Sequence, residues 1–145
     1  MKIDLNAIEE NGMTGFHYAC ERGHSGVVKI IMENAAALSI DLNAKCTDYS
    51  STGFHRACGR GHSDVIKIFL ENELSLNLDL NSKDCFDWMG FHHACRRGHM
   101  GVVKILTENT SSSNKIKLLK KLDLRVQARI LETLLLFSKD QIKPF

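Results

Sequence analysis

The chain lacks the sequence features of a membrane span, a secretory signal and an enzyme active site. No uninterrupted apolar run approaches the roughly 18 residues that a membrane-spanning helix needs. The first residues, Met1 to Asp4, are not followed by the apolar core of a secretory signal. A nucleophile elbow, a phosphate-binding glycine loop and a catalytic carboxylate pair are missing as well. We therefore expect a protein without enzymatic activity.

The cysteines indicate the redox environment. There are five, an odd number, and Cys20, Cys58 and Cys95 occupy one position of a repeated motif. We interpret these three as small, buried, reduced residues of a cytoplasmic or nuclear protein. Cys46 and Cys85 lie outside the motif and are predicted to be exposed or half-exposed.

Hydrophobic residues make up 43% of the 145 residues and charged residues 25%, which predicts a soluble domain with a buried core. The net charge of +2 is unevenly distributed. Up to Asn114 there are 11 Lys and Arg against 14 Asp and Glu, whereas from Lys115 onward there are 8 against 3. The tail is therefore basic and differs chemically from the body.

A seven-residue motif occurs three times, as TGFHYAC from Thr14, TGFHRAC from Thr52 and MGFHHAC from Met89. Each copy is followed two residues later by Gly-His and then by an apolar stretch. The first glycines of the three motifs are 38 and 37 residues apart. A repeat of this length predicts stacked supersecondary units, each of which buries its apolar face only against its neighbours.

Each unit is predicted to contain two helices. Thr14 and Thr52 suit the N-cap of the first helix, and the glycine of Gly-His suits its end because glycine adopts left-handed backbone angles. The second helix is predicted to be largely buried. Its apolar residues are Val27, Val28, Ile30 and Ile31 in the first unit, Val65, Ile66, Ile68 and Phe69 in the second, and Val102, Val103, Ile105 and Leu106 in the third.

This pattern resembles the ankyrin repeat, whose signature runs Thr-Pro-Leu-His-x-Ala, then Gly-His, then an Ile-Val-Lys-Leu-Leu helix and Asp-x-Asn. The resemblance covers residues 4 to about 109. It implies an all-α solenoid of stacked helix-turn-helix units with short β-hairpin turns. We place three repeats at about 4–40, 41–78 and 79–109, within a repeat domain of 1–109. Residues 110–145 are interpreted as a linker and an amphipathic helical C-terminal cap.

The sequence departs from the family pattern in three ways. Gly15, Gly53 and Gly90 stand where the family has proline, which predicts that each helix is weaker by something under about 1 kcal/mol. The connections are long, and we expect 34–40 and 72–78 to extend each second helix by one turn on the convex side. The chain begins with residues that match the end of a unit, so we expect either a piece of a longer array or an exposed first unit.

The repeated histidines His17, His55 and His92 each have a cysteine three residues later, a spacing that metal sites use. A tetrahedral zinc site gathers four ligands around one point, whereas stacked helices carry their motifs about 10 Å apart. We therefore expect structural histidines and no metal. The resemblance implies that each imidazole hydrogen-bonds the hairpin turns and ties one unit to the next. Met89 replaces the threonine beside His92.

The basic tail is open to two interpretations. Apolar residues recur at helical spacing from Leu119 to Phe137, and Asp123 suits an N-cap, which predicts one or two helices over 114–138 that close the stack. Alternatively, the basic face opposite them, which includes Lys120 and Lys121, binds an acidic membrane or nucleic acid. Capping is favoured because the apolar face is well matched to it and aromatic interleaving is missing.

The resemblance implies a concave surface, made of hairpin tips and inner helices, that holds partner proteins. We predict an adaptor, scaffold or inhibitor that is monomeric alone and uses no cofactor or small-molecule substrate. Phe86 and Trp88 are open to a second interpretation, in which they pack beneath the tail helices. The residues predicted to bind the partner are Glu10, Asn11, Met13, Tyr18, Arg22, Asp48, Tyr49, Arg56, Arg60, Phe86, Trp88, His93, Arg96 and Arg97.

Overall fold

The computed structural model describes residues 4–109 and 122–140. These residues form seven helices and no strand, so the predicted all-α class is confirmed. The helices are α1 (Gly15–Glu21), α2 (Ser25–Asn34), α3 (Gly53–Arg60), α4 (Ser63–Asn72), α5 (Gly90–Arg97), α6 (Met100–Glu108) and α7 (Leu124–Asp140).

The first six helices form two layers. Helices α1, α3 and α5 lie side by side, α2, α4 and α6 form the second layer, and each first helix packs against its own second helix. Phe69 of α4 lies between the layers, with its ring centroid 5.9 Å from that of Phe16 and 5.2 Å from that of Phe54. Small buried residues such as Ala57 and Ala94 let the layers approach closely. The stacked units share one continuous core.

The Gly-His pair joins one unit to the next. Gly23 and Gly61 have φ of +70° and +77°, as predicted for the end of the first helix. A Cβ added at either glycine would lie 2.5 Å from Nδ1 of the following unit's histidine, His62 or His99. The same His62 bonds through Nε2 to the carbonyl oxygen of Glu21 at 2.7 Å. Glycine is therefore required here both by the backbone and by the neighbouring unit.

The glycines that replace the family's proline are also packing residues. A Cβ on Gly53 would lie 2.9 Å from Sγ of Cys20, and a Cβ on Gly90 would lie 2.9 Å from Sγ of Cys58. Gly15 has nothing within 4 Å of the same position. In the second and third units, the glycine lets the cysteine of the preceding unit lie directly against the start of the helix.

The hairpin turns contain no strand in the described residues. In the second unit the turn is closed by one backbone hydrogen bond, from Cys46 N–H to the Ser51 carbonyl at 2.9 Å. Successive tips are joined in the same way: Thr47 N–H donates to Asn11 at 3.0 Å, and Cys85 N–H donates to Tyr49 at 2.9 Å. The predicted β-hairpin turns are thus present as hydrogen-bonded turns without a strand ladder.

The predicted extra helical turn in the connections is wrong. Helices α2 and α4 end at Asn34 and Asn72, and 35–39 and 73–77 form turns. Each connection contains a residue of positive φ, Ser39 at +53° and Asn77 at +51°, which is incompatible with continuing a right-handed helix. Asn43 Nδ2 donates to the Asn77 carbonyl at 3.0 Å and so ties this turn to the start of the same repeat.

The first unit has one uncovered face. Val65 and Val102 are fully buried, but the equivalent Val27 is 49% exposed and Ile30 of the same helix is 62% exposed. The prediction of a largely buried second helix therefore holds for α4 and α6 and is wrong for these two residues of α2. In the second and third units, the second helix packs against the second helix of the unit before it. No described unit precedes the first one, so this side of α2 stays exposed.

Helix α7 packs against α5 and α6 of the third unit. Its contact face includes the buried Ile130, and Leu122 just before it is also buried. Asp123 acts as the predicted cap, since its Oδ1 accepts a hydrogen bond from Val126 N–H at 2.9 Å. Leu119, Lys120 and Lys121 lie outside the described residues, and the division into domains stays a prediction. Within the described residues, no helix has the length and apolar character needed to cross a membrane.

Candidate functional site

A groove of about 800 Å³ runs over the hairpin tips and first helices of the second and third units. It is bounded by Glu21 of the first unit, and helices α3 and α5 supply much of its surface. Its lining residues are Glu21, Tyr49, Ser51, His55, Arg56, Gly59, Arg60, Asp84, Phe86, Trp88, His93, Arg96 and Arg97.

Aromatic side chains form one wall of this groove. Tyr49 and Phe86, from successive tips, stack with ring centroids 5.7 Å apart and planes inclined by 29°. They remain 61% and 60% exposed, so Phe86 lies on the open surface and is not covered by α7, the described helix of the tail. Trp88 packs on His93 at 5.3 Å, and the Arg96 guanidinium lies 5.3 Å from the centroid of the Trp88 ring. This last contact has cation–π geometry and positions the guanidinium beside the wall.

Asp84 organises the hairpin tip that carries this wall. Its Oδ1 accepts hydrogen bonds from the backbone N–H groups of Phe86 at 2.9 Å and Trp88 at 3.0 Å. Its Oδ2 lies 2.5 Å from Nε2 of His93. Burial raises the pKa of Asp84, but the hydrogen bonds from His93 and from the two backbone amides outweigh it and hold the pKa below its ordinary value. The side chain is therefore an ionised, buried anchor for the turn.

The arginines at one end of the groove are paired. Glu21 Oε1 lies 2.9 Å from Nη2 of Arg60 and 3.8 Å from Nη1 of Arg56. Arg56 also donates from Nε to the Ser51 hydroxyl at 2.9 Å. Glu21 thus partly neutralises the two arginines that belong to the second unit.

Arg96 and Arg97, at the third-unit end of the groove, are not paired with an acidic side chain of the described residues. Arg97 donates from Nη1 to the carbonyl oxygen of Gly59 at 3.1 Å. Within the described ranges 4–109 and 122–140, no carboxylate lies within ion-pair distance of Arg96 or Arg97. Both side chains are exposed. The groove arginines without an acidic partner are thus those of the third unit, where Asp84 bonds to His93 and to the backbone of the turn instead.

The structure brings eight of the predicted residues together at the groove, namely Tyr49, Arg56, Arg60, Phe86, Trp88, His93, Arg96 and Arg97. The predicted Glu10, Asn11, Tyr18, Arg22 and Asp48 do not line it. Met13 is 2% exposed, so the prediction that it contacts a partner is wrong. It lies directly before α1, where the chain enters the core. Whether the eight residues bind a partner stays a prediction.

Sequence reasoning missed Asp84 as a residue of the site. Its carboxylate caps the backbone two and four residues further on, which is the pattern of an Asx turn. An aspartate shortly before two aromatic residues at a predicted tip was the available signal. Ser51 and Glu21 were not among the residues predicted to bind the partner, and each acts through an arginine.

His17 and His55, two of the three repeated histidines, make the predicted bonds to the hairpin turn of the next unit. Nε2 of His17 bonds to the Ala44 carbonyl at 2.9 Å, and Nε2 of His55 bonds to the Trp88 carbonyl at 3.0 Å. Nδ1 of each accepts from the backbone N–H at the start of its own helix, so Nε2 carries the proton and the ring is neutral. Burial lowers the pKa of both imidazoles and keeps them so. Among the described residues, no three His, Cys, Asp or Glu side chains converge on a metal-binding geometry.

The cysteines at the repeated position are buried, as predicted, and Cys85 is exposed. Burial raises the pKa of the Cys20 and Cys58 thiols and raises that of Cys95 to about 12. The prediction that Cys46 is exposed or half-exposed is wrong, because its Sγ is buried 3.1 Å from the Ser51 hydroxyl. The buried thiols of the motif are therefore packing groups at neutral pH.

Comparison with known protein families agrees with this geometry. A family model described as ankyrin repeats (3 copies) matches residues 1–84, more than half of the chain. The chain belongs to the ankyrin repeat family. A search of curated proteins finds none that matches it. Helices α5 and α6 lie beyond the matched residues and repeat the arrangement of α3 and α4.

Ankyrin repeats are protein–protein interaction modules without a catalytic activity of their own. Their partners are typically other proteins. The groove, with its aromatic wall and unpaired arginines, is the feature of this chain that suits such a role.

Proposed function

We propose that this protein is a non-catalytic adaptor, scaffold or inhibitor that binds a partner protein through the groove of the second and third units. Exposed Tyr49 and Phe86, together with Trp88 and the arginines beside it, are its contact residues. Trp, Tyr and Arg are the residue types enriched among interface hot spots.

The observation that carries this proposal is the exposure of a stacked aromatic pair on two successive turns that hydrogen bonds hold in place. Tyr49 and Phe86 each leave about three fifths of their surface in solvent. Asp84 nevertheless fixes the tip of the third unit, which carries Phe86, through three hydrogen bonds. A surface that is already ordered loses little conformational entropy on binding. Exposed and pre-organised aromatic surface favours recognition over a purely structural role.

The proposal includes a cytoplasmic or nuclear location. It is supported by free thiols at one repeated position of the core, where they serve packing. Measuring which cell fraction holds the tagged protein tests this part separately.

The binding site is tested by affinity capture from cell extract with mass spectrometric identification. The test variant is Trp88→Ala with Arg97→Ala, and the control is Arg22→Ala with Leu74→Ala. Arg22 occupies the position of Arg97 in the first unit, and Leu74 is an exposed residue of an outer connection. We expect the test variant to lose partners that the control retains, while both keep the helical circular dichroism of the unmodified protein. Full retention of every partner by the test variant would reject the site.

A further inference from the structure

The cationic side chains of the repeat body are sorted by type and place. Four of the five arginines in residues 4–109 line the groove, and the fifth is Arg22. None of the lysines in that range lines it; they are Lys29, Lys45, Lys67, Lys83 and Lys104. The body carries more acidic than basic residues. Guanidinium groups are therefore concentrated on one surface of an otherwise acidic body.

Arg96 and Arg97 are the two arginines of the groove that have no carboxylate partner among the described residues. A guanidinium has five N–H donors, and the contacts of these two are one bond to the Gly59 carbonyl and the stack on Trp88. Arginine pairs with a carboxylate through two parallel hydrogen bonds, a geometry that lysine cannot offer. The third-unit end of the groove is thus chemically suited to a carboxylate.

Apolar surface adjoins these donors. The Tyr49–Phe86 pair lies on the same groove and is exposed. A ligand that places a carboxylate at Arg96 and Arg97 can therefore bury an aliphatic or aromatic side chain on the tip.

We propose that the groove binds a short acidic segment of a partner protein, in which Asp or Glu carboxylates pair with Arg96 and Arg97 and a nearby apolar side chain packs on Tyr49 and Phe86. This inference rests on the proposed function and adds the chemical class of the partner. A peptide is favoured over a nucleic acid because the groove also contains the carboxylates of Glu21 and Asp84. A chain with a phosphate at every nucleotide would be repelled there, whereas a peptide carries its charges only at some residues.

The first experiment selects peptides on the intact protein from a display library of random dodecapeptides. The same selection is run on Arg96→Gln with Arg97→Gln and on the matched control Arg22→Gln. We expect the selected sequences to be richer in Asp and Glu than the input library and to contain at least one large apolar residue. Arg22→Gln should select the same sequences, and the double variant should lose them.

The second experiment measures affinity by fluorescence anisotropy with one selected peptide, synthesised and labelled. Replacing its Asp and Glu by Asn and Gln should weaken binding by on the order of tenfold for each carboxylate that meets an arginine. Arg97→Gln should weaken the original peptide similarly but leave the amide peptide nearly unchanged, and Arg22→Gln should alter neither. Raising the salt concentration should lower the affinity of the acidic peptide and leave that of the amide peptide nearly unchanged. A labelled dodecamer of thymidylate serves as the nucleic-acid probe.

The outcomes separate this inference from the proposed function. Selection without an excess of acidic residues, no selection at all, or an equal loss for the acidic and amide peptides would overturn the acidic segment. If the acidic segment is overturned but Trp88→Ala with Arg97→Ala still loses its cellular partners, the proposed function is retained and only the acidic character of the partner is rejected. Saturable binding of the thymidylate dodecamer at least as tight as that of the peptide, lost in the double variant, would overturn the inference in favour of a nucleic acid.

Discussion

Replacing Gly90 by alanine tests whether glycine is required by packing between units. The added Cβ would lie 2.9 Å from Sγ of Cys58 and 3.0 Å from Cδ1 of Phe54. Both atoms are buried, and optimal separation between such atoms is about 3.5–4.0 Å. The neighbours must therefore move by several tenths of an ångström.

The magnitude follows from two opposing effects. Overpacking a tight core typically costs about 1–3 kcal/mol, and Gly→Ala at a compatible helical position stabilises by about 0.4–1 kcal/mol through the unfolded chain. We expect Gly90→Ala to lower the free energy of unfolding by about 1–2 kcal/mol. Gly15→Ala is the matched control at the same place in the first unit, where nothing lies within 4 Å. It should be neutral or stabilising by up to about 1 kcal/mol.

Urea unfolding followed by circular dichroism at equal protein concentration measures both variants. A Cys58→Ala background adds a double-mutant cycle, since removal of the nearest atom should reduce the cost of Gly90→Ala by at least about 0.5 kcal/mol. The slope of the unfolding free energy against urea concentration must be the same for all variants, because a repeat stack can unfold in parts and a changed slope would indicate this. A Gly90→Ala variant as stable as Gly15→Ala would refute the packing requirement.

Three further predictions concern the exposure of the cysteines and the protonation of buried side chains. Cys85 should be the one thiol that reacts rapidly with a chromogenic disulfide reagent in the native protein, and Cys85→Ser should abolish that phase; rapid reaction of a second thiol would contradict the burial. Asp84→Asn should destabilise by about 1–2 kcal/mol at pH 7 through lost charge-assisted bonds. Because its folded-state pKa is lowered, the Asp84 carboxylate stabilises the fold above pH of about 4 and that stability is lost as the pH falls further, so the variant should show a weaker decline in its urea midpoint there. His17 and His55, also with lowered pKa, should make the wild type less stable as the pH falls from about 6.5 to 5, since the unfolded chain takes up protons first; His55→Gln should reduce this slope, and an unchanged slope would contradict it.

The stack itself could be predicted because its rules are repeated in the sequence. Phe16, Phe54 and Phe91 recur at one position and are all buried, and the Gly-His pair recurs where each helix ends. Three copies of the same local signal outweigh the uncertainty of any one of them. The conformation of the connections could not be predicted, because Ser39 and Asn77 acquire positive φ within turns that are hydrogen-bonded to an asparagine more than thirty residues earlier, and such long-range bonds are not visible in local propensity.

The surface residues of the site could be predicted from the sequence, but the hydrogen bonds that hold them in place could not. The sequence predicted Trp88 and Arg97 as residues that contact a partner: Trp88 differs between the units, whereas Arg97 has the same residue type as Arg22 and Arg60. The organising role of Asp84 depends on two backbone amides and on His93, whose positions are defined only once the turn is folded. Similarly, Cys46 was expected near the surface and is enclosed by the turn that Ser51 closes.

The place of the groove follows from one position that differs in every unit. Glu21, Gly59 and Arg96 occupy it in turn along the stack. A Cβ on Gly59 would have only ordinary contacts, at 3.7 Å or more, so packing does not require this glycine as it requires Gly90. Its effect is to leave the floor of the groove open where a side chain would stand, between a carboxylate at one end and a guanidinium at the other. Glu21 already pairs with Arg56 and Arg60, whereas Arg96 has no acidic partner among the described residues. An acidic ligand would therefore place its carboxylates at the third unit, and this difference would fix which end of the ligand lies there.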